Sequence, residues 1–158
     1  MIARLVSGGQ SGVDRAALDA ALEIGLPCGG WCPKGRKAED GRIDDRYPLV
    51  ETPSGGYSQR TRWNVRDSNA TLILTWGRPT GGTLLTADEC RKVGKPCFVI
   101  DLADETNMAE GVPAAREWIA ATDGILNVAG SRASEHVGVY DRAKAFILAA
   151  LGGGGSDK

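Results

Sequence analysis

Three glycine-rich stretches hold the residues of this 158-residue chain whose types and spacing suit chemistry. The first, Ser7-Gly8-Gly9-Gln10-Ser11-Gly12-Val13-Asp14, ends an apolar run and feeds directly into a helical pattern. Gly8, Gly9 and Gly12 can take positive φ and leave backbone bare, and the N–H groups that open the next helix lack intrahelical partners and carry its positive dipole end. That is the makeup of an anion cradle. No Gly-Lys-Ser/Thr closes the loop and Gly-x-Gly-x-x-Gly does not fit it, so a phosphate-bearing or oxyanion ligand is expected without any nucleotide being named. The competing reading is a tight strand-to-helix turn in which glycine serves packing alone. Asp14, in the first helical turn, reads as a dipole partner that can also touch a ligand.

The second stretch, Gly77-Arg78-Pro79-Thr80-Gly81-Gly82-Thr83, again follows an apolar run and precedes a helical pattern. Two such turns would present two helix N-termini to one crevice, with the Ser11 and Thr83 hydroxyls free to donate to ligand oxygens. The third, Asn127-Val128-Ala129-Gly130-Ser131-Arg132, has the same build and leads through Glu135 into the last helix, closing the far side of a pocket. Basic residues cluster nearby: Lys34, Arg36, Lys37 and Arg42, then Arg60, Arg62 and Arg66, then Arg78. Some can fork onto phosphate; the rest read as a solvated face balanced by Glu39, Asp40, Asp44 and Asp45. The residues expected to bind ligand are thus Gly8, Gly9, Gln10, Ser11, Gly12, Asp14, Lys34, Arg36, Arg60, Arg78, Gly81, Gly82, Thr83, Asn127, Gly130 and Ser131. Valine at Gly9 or Gly82 is expected to remove binding and spare the fold. Trp31, Trp63 and Trp76 flank the same elements, as ring-stacking platforms or as ordinary packing.

The elements that must position these residues alternate. Apolar runs at 2–6, 70–75, 97–102 and 125–129, with a weaker one at 28–31, read as buried strands. Between them, Val13, Ala16, Ala17, Ala20, Ala21 and Ile24 form a narrow small-residue stripe at helical spacing, and further helices are predicted at 57–68, 82–93, 113–122 and 137–151. Alternation of this kind predicts a parallel sheet with right-handed crossovers, that is, a three-layer α/β Rossmann-like sandwich. A five-strand order of 2-1-3-4-5 would set the turns after strands one and three at the topological switch point. Residues 32–56, with three prolines and four glycines and no periodicity, read as a binding loop. Residues 1–151 form one domain in this reading, and Gly152–Lys158 a flexible glycine-rich tail.

Composition narrows the partners. With 19 basic and 20 acidic residues the net charge is −1, which gives no global field for nucleic acid or a membrane surface, so anion binding must be local. No apolar run spans a bilayer and no signal peptide precedes the first strand, which predicts a cytoplasmic protein. The four cysteines then read as thiols, and Cys28-x-x-x-Cys32 lacks the second close pair that a zinc site needs.

Ser7 to Arg15, Gly29-Gly-Trp-Cys-Pro-Lys-Gly-Arg-Lys-Ala-Glu-Asp-Gly41, Tyr57 to Asp67, Gly81-Gly-Thr83 with Leu85-Thr86, and Gly94-Lys-Pro-Cys97 resemble the molybdenum carrier family. That family is similar to molybdenum cofactor carrier proteins and lies in a Rossmann-like group with DprA and the lonely-guy, "lysine decarboxylase-like" proteins. The resemblance covers about residues 3–150. It implies a pocket for molybdenum cofactor (molybdopterin) or another phosphate or oxyanion ligand, and assembly into homo-oligomers. The wider group also contains phosphoribohydrolases, whose Pro-Gly-Gly-x-Gly-Thr-x-x-Glu signature supplies a glutamate to the glycosidic bond. Here Gly82-Thr83 is followed three residues later by Thr86, whose hydroxyl cannot replace a carboxylate. Asp88 and Glu89 are rotated away from it on a helix. The leading expectation is therefore a binding and storage protein with no catalytic residue. The alternatives are a nucleotide N-glycosidase that uses Glu135, Asp14 or a loop acid, and a nucleotide-ligand sensor.

Overall fold

The computed structural model describes residues 1–152. In chain order the elements are β1 (Ile2–Val6), α1 (Val13–Ile24), β2 (Cys28–Gly29), β3 (Trp31–Cys32), β4 (Lys37–Ala38), β5 (Gly41–Arg42), β6 (Val50–Glu51), α2 (Tyr57–Arg66), β7 (Ala70–Thr75), α3 (Gly81–Val93), β8 (Cys97–Asp101), α4 (Glu105–Ala120), β9 (Gly124–Gly130), a 3-10 turn (Ala133–Glu135) and α5 (Val139–Leu151). The predicted tail falls outside the described residues, apart from Gly152.

β2, β1, β9, β7 and β8, in that spatial order, make one parallel sheet. Helices α1 and α4 pack beside α5, and α2 packs beside α3, so the layers are helix, sheet, helix. The Rossmann-like sandwich read from the sequence is the fold found. Its order is close to the expected one and differs in one place: the last strand lies between the first and β7 instead of at an edge. Burial explains why. Leu126 and Val128 in β9 are wholly covered, as a central strand requires, while Val99 of β8 is 47% exposed, as an edge strand permits. Counting β9 first turns the order into 3-2-1-4-5, the doubly wound arrangement.

The small-residue stripe does what its spacing dictates. Ala16, Ala17, Ala20 and Ala21 are fully buried, bringing the α1 backbone close to the sheet and to α5. Leu5, Leu72, Leu74, Leu126 and Ile147 fill the core, and truncating any one to alanine would cost ~2–5 kcal/mol. α4 begins at Glu105, eight residues before the predicted start at 113. Asp104 caps it by accepting from the Asn107 N–H at 3.0 Å, and Pro113 lies inside the helix where the sequence reading placed a first-turn proline. Gly111 is what lets α4 touch β8, since a Cβ there would run into Ile100.

The 32–56 segment is ordered. β3 pairs with β6, β4 pairs with β5, and the segment's own Ile43, Tyr47 and Leu49 are buried. Arg36 organises it: its guanidinium donates to the carbonyls of Ile43 (3.0 Å), Leu49 (3.3 Å), Asp44 (2.7 Å) and Tyr47 (2.8 Å). Those bonds hold Arg36 at φ +55 and 7% exposure, and they correct its expected role as a ligand contact.

Candidate functional site

At the carboxyl ends of β7 and β9, where the doubly wound order reverses, the structure opens a cavity of about 280 Å³. This is where an open α/β sheet offers ligand-binding backbone. One wall is the start of α3: Thr80, Gly81, Gly82, Thr83 and, one turn on, Thr86. The opposite wall is Ala129, Gly130, Arg132 and Glu135 from the end of β9, and Gln10, Asp14 and Arg60 complete the lining.

The α3 end is open. Thr83 and Leu84 donate their N–H groups to the Thr80 carbonyl at 3.0 and 3.2 Å, while the Gly81 and Gly82 amides precede the first intrahelical bond. A Cβ at Gly81 or Gly82 would meet nothing within 4 Å, and Gly81 sits at φ +50. The backbone here is bare, positively polarised and reachable.

The first glycine turn is built differently. Gln10 N–H donates to Asp14 Oδ2 (3.1 Å), Ser11 N–H to Gln10 Oε1 (3.0 Å), Val13 N–H to the Ser131 carbonyl (3.0 Å) and Arg15 N–H to the Gln10 carbonyl (3.1 Å). Gly9, at φ +82, lies under the 32–56 segment, where a Cβ would meet Leu49 Cδ1 at 2.7 Å and Ile43 Cδ1 at 2.8 Å. Gly12, at φ +88, abuts the Ser131 carbonyl and the Ala133 amide. Gly8 gives passage to Arg60, whose Nε would stand 2.8 Å from a Cβ there. The packing reading therefore holds for these glycines, and the expectation that valine at Gly9 would spare the fold is reversed.

What this turn contributes to the cavity is side chains. Gln10 is 5% exposed; its Oε1 accepts from Ser11 and from the Glu39 N–H (2.8 Å), leaving Nε2 buried without a partner. Arg60 Nη1 donates to Thr61 Oγ1 at 2.8 Å, and its Nε is likewise buried and unpartnered. Orphaned donors beside bare helix amides mark a place prepared for an acceptor. Burial pushes the Asp14 carboxyl up from its ordinary value, against the Arg60 charge and the Gln10 N–H, which pull it down.

Of the remaining expected residues, Ser131 is 1% exposed and braces the wall, its Oγ accepting from Trp76 N–H at 2.8 Å. Asn127 donates to Thr71 Oγ1 at 3.2 Å and reaches only an adjoining void of about 10 Å³. Ser11 donates to Glu39 and accepts from the Ala133 N–H, on the outer side of the turn. Lys34 and Arg78 are exposed and line no part of the cavity. Thr80, Thr86, Ala129, Arg132 and Glu135 also line the cavity; they were not among the expected ligand contacts, although Ala129, Arg132 and Glu135 belong to the stretch expected to close its far side. Arg132, two residues past the glycine that ends a strand, was the one with a usable signal.

Gly130 explains the tightness of the far wall. It pairs with Leu74 across β7 and β9, and a Cβ there would collide with the Leu74 carbonyl oxygen.

Among the described residues no helix is long and apolar enough to cross a membrane. A search of curated proteins found no match. Among solved structures, a crystal structure at 1.45 Å resolution of the "Putative molybdenum carrier protein" from Syntrophus aciditrophicus SB superposes with a TM-score of 0.90, at 40% identity, over 95% of each chain. Residues 5–151 match the model of the "Circularly permutated YpsA SLOG family". Permutation accounts for a sheet that recovers the doubly wound order once its last strand is counted first, and with these matches the chain is a member of the circularly permutated YpsA SLOG family.

Proposed function

We propose that the protein binds and stores a phosphate-bearing or oxyanion small molecule in the β7–β9 cavity, and that molybdenum cofactor is its leading candidate cargo. The observation that carries this reading is the pair of buried, unpartnered donors, Gln10 Nε2 and Arg60 Nε, beside the bare Gly81–Gly82 amides. Phosphate and molybdate oxygens are acceptors of the kind that such donors and amides suit, and molybdopterin carries such groups. The solved relative's name favours the molybdenum version of the ligand. Gln10, Arg60, Gly81, Gly82 and Thr83 would hold the anion, and Arg132 would close over it.

Storage without cleavage is supported by Thr86. Its hydroxyl donates to the Gly82 carbonyl at 3.0 Å, folded back on its own helix, where the related hydrolases keep a carboxylate. A glycosidase reading draws on a different observation: Asp14, held towards its protonated form by burial, shares the cavity with Glu135. Incubation with nucleoside monophosphates separates the two, since steady release of free base requires the second. Native mass spectrometry of the protein purified without added ligand, with metal analysis on the same sample, tests the first. A bound anion or pterin in the spectrum is the expected result, and the same spectrum reads the homo-oligomeric state that the family resemblance implies.

A further inference from the structure

The rim of the cavity carries more positive charge than a single anionic group requires. Tyr57, the first residue of α2, has three cations over its ring: Lys37 Nζ at 5.2 Å from the centroid, Arg60 Cζ at 5.4 Å and Arg132 Cζ at 5.5 Å. They arrive from three separate parts of the chain, β4, α2 and the turn after β9. An aromatic ring attracts each cation through its quadrupole, but it has no net charge and neutralises none of them. Among the described residues the ion pairs reach only one of the three: Arg132 lies 3.7 Å from Glu39, whose carboxylate already accepts from Ser11 and from the Ser134 N–H and hydroxyl. Asp14, the carboxyl that Arg60 faces in the cavity, is held towards its neutral form. Two of the cations, Arg60 and Arg132, line both the cavity and a neighbouring pocket beside Tyr57 that shares Gly81 and Gly82 with it.

Like charges gathered in this way repel and raise the local potential until a counter-charge arrives. The inner part of the site, with the α3 amides, Gln10 and Arg60, suits one anionic group. The Tyr57 triad, sharing Arg60 with it, suits a second group directly next to the first. Resting on the anion-binding reading above, we infer that the physiological ligand carries two adjacent anionic groups, as in a pyrophosphate linkage, the inner one seated on the α3 amides and the outer one between Lys37, Arg60 and Arg132. A nucleic-acid backbone is the poorer occupant, because the cations gather around one ring on a chain of net charge −1 and form no extended stripe.

Calorimetric titration of the full chain with inorganic phosphate, molybdate, inorganic pyrophosphate and a nucleoside 5′-diphosphate tests this at fixed ionic strength. Pyrophosphate and the diphosphate are expected to bind at least ten-fold more tightly than phosphate or molybdate. Lys37→Ala, a change at an exposed residue with no side-chain hydrogen bond, should abolish that preference and leave the phosphate affinity within two-fold. Thermal melts confirm that the variant folds. Phosphate binding with no gain for pyrophosphate overturns the inference and leaves the anion-binding reading standing. So does a Lys37→Ala effect equal on all four ligands. Failure of every anion to bind overturns the anion-binding reading itself, and the two-group ligand with it.

Discussion

The turns after β1 and β7 are chemically near twins, each a run of glycines with a hydroxyl residue between strand and helix, yet they use glycine for opposite purposes. After β1, Gly9 and Gly12 are sites of contact: side chains of the 32–56 segment and backbone of the β9 turn press where a Cβ would stand. After β7, Gly81 and Gly82 border open space. The first turn is sealed, its Gln10, Ser11 and Val13 amides already bonded within the protein, and it turns the side chains of Gln10 and Asp14 to the cavity. The second is unsealed and offers backbone. Glycine after a strand thus marks a close approach, but whether protein or ligand makes that approach depends on what the rest of the chain lays over it.

The sharpest way to break this contrast is to add the same side chain to both. Gly9→Val, at positive φ and against Ile43 and Leu49, should lose about 3 kcal/mol or more of stability in urea denaturation. Gly82→Val should change stability by less than about 1 kcal/mol, while phosphate binding falls at least ten-fold. Equal destabilisation of the two would erase the distinction. Next in size, Arg60→Met should weaken phosphate by about 2 kcal/mol in calorimetry, the worth of a charge-assisted bond, with little change in melting temperature. Unaltered affinity would mean that the orphaned Nε is not aimed at ligand.

Asp14→Asn sharpens the account of the sealed turn. Because burial raises the Asp14 pKa above its ordinary 3.8, the stability tied to its neutral form is complete below that pH and is lost as pH rises through the higher folded value. Asparagine stays neutral throughout, so the variant should be more stable than the parent at pH 7 and equal to it near pH 3.5. A melting-temperature difference constant with pH would contradict this. The smallest effect, with the opposite sign, belongs to Glu39, which ties the 32–56 segment to the first turn and to Ser134. Burial alone would raise its pKa, but hydrogen bonds from Ser11 and Ser134 outweigh that and leave it lowered, so its contribution is present above the ordinary 4.5 and fades as pH falls below it. Glu39→Gln should cost about 0.5 kcal/mol at pH 7 and nothing in acid, by the same melts.

Local features were legible in the residues. The five sheet strands, the α1 alanine stripe and all three glycine turns follow from composition and period, because side chains alternate or repeat with the backbone geometry of their own element. Strand order was less so: apolar runs report burial, and only the contrast between Leu126 or Val128 and the exposed Val99 says which strand is central. The start of α4 was less legible too: the predicted helix opened at Pro113, which in fact lies within a helix that begins at Glu105. Gln10, Asp14, Arg60 and Gly81–Thr83 were named from residue type and setting, and the structure brings them together around one cavity. Arg36 and Lys34 were indistinguishable from Lys37 in sequence. Which basic residue is swallowed by carbonyls, and which reaches the rim, depends on the path of a segment whose own core of Ile43, Tyr47 and Leu49 carries no periodic signal.

The central position of β9 also bears on how the chain is made. During synthesis the β1–β2 pair and the β7–β8 pair emerge well before the strand that joins them, and each waits with an unpaired inner edge formed by β1 or β7. Arrival of β9 completes both edges, and the two walls of the cavity face each other only then. A cavity lined from both halves of the sheet is therefore complete only once β9 is in place.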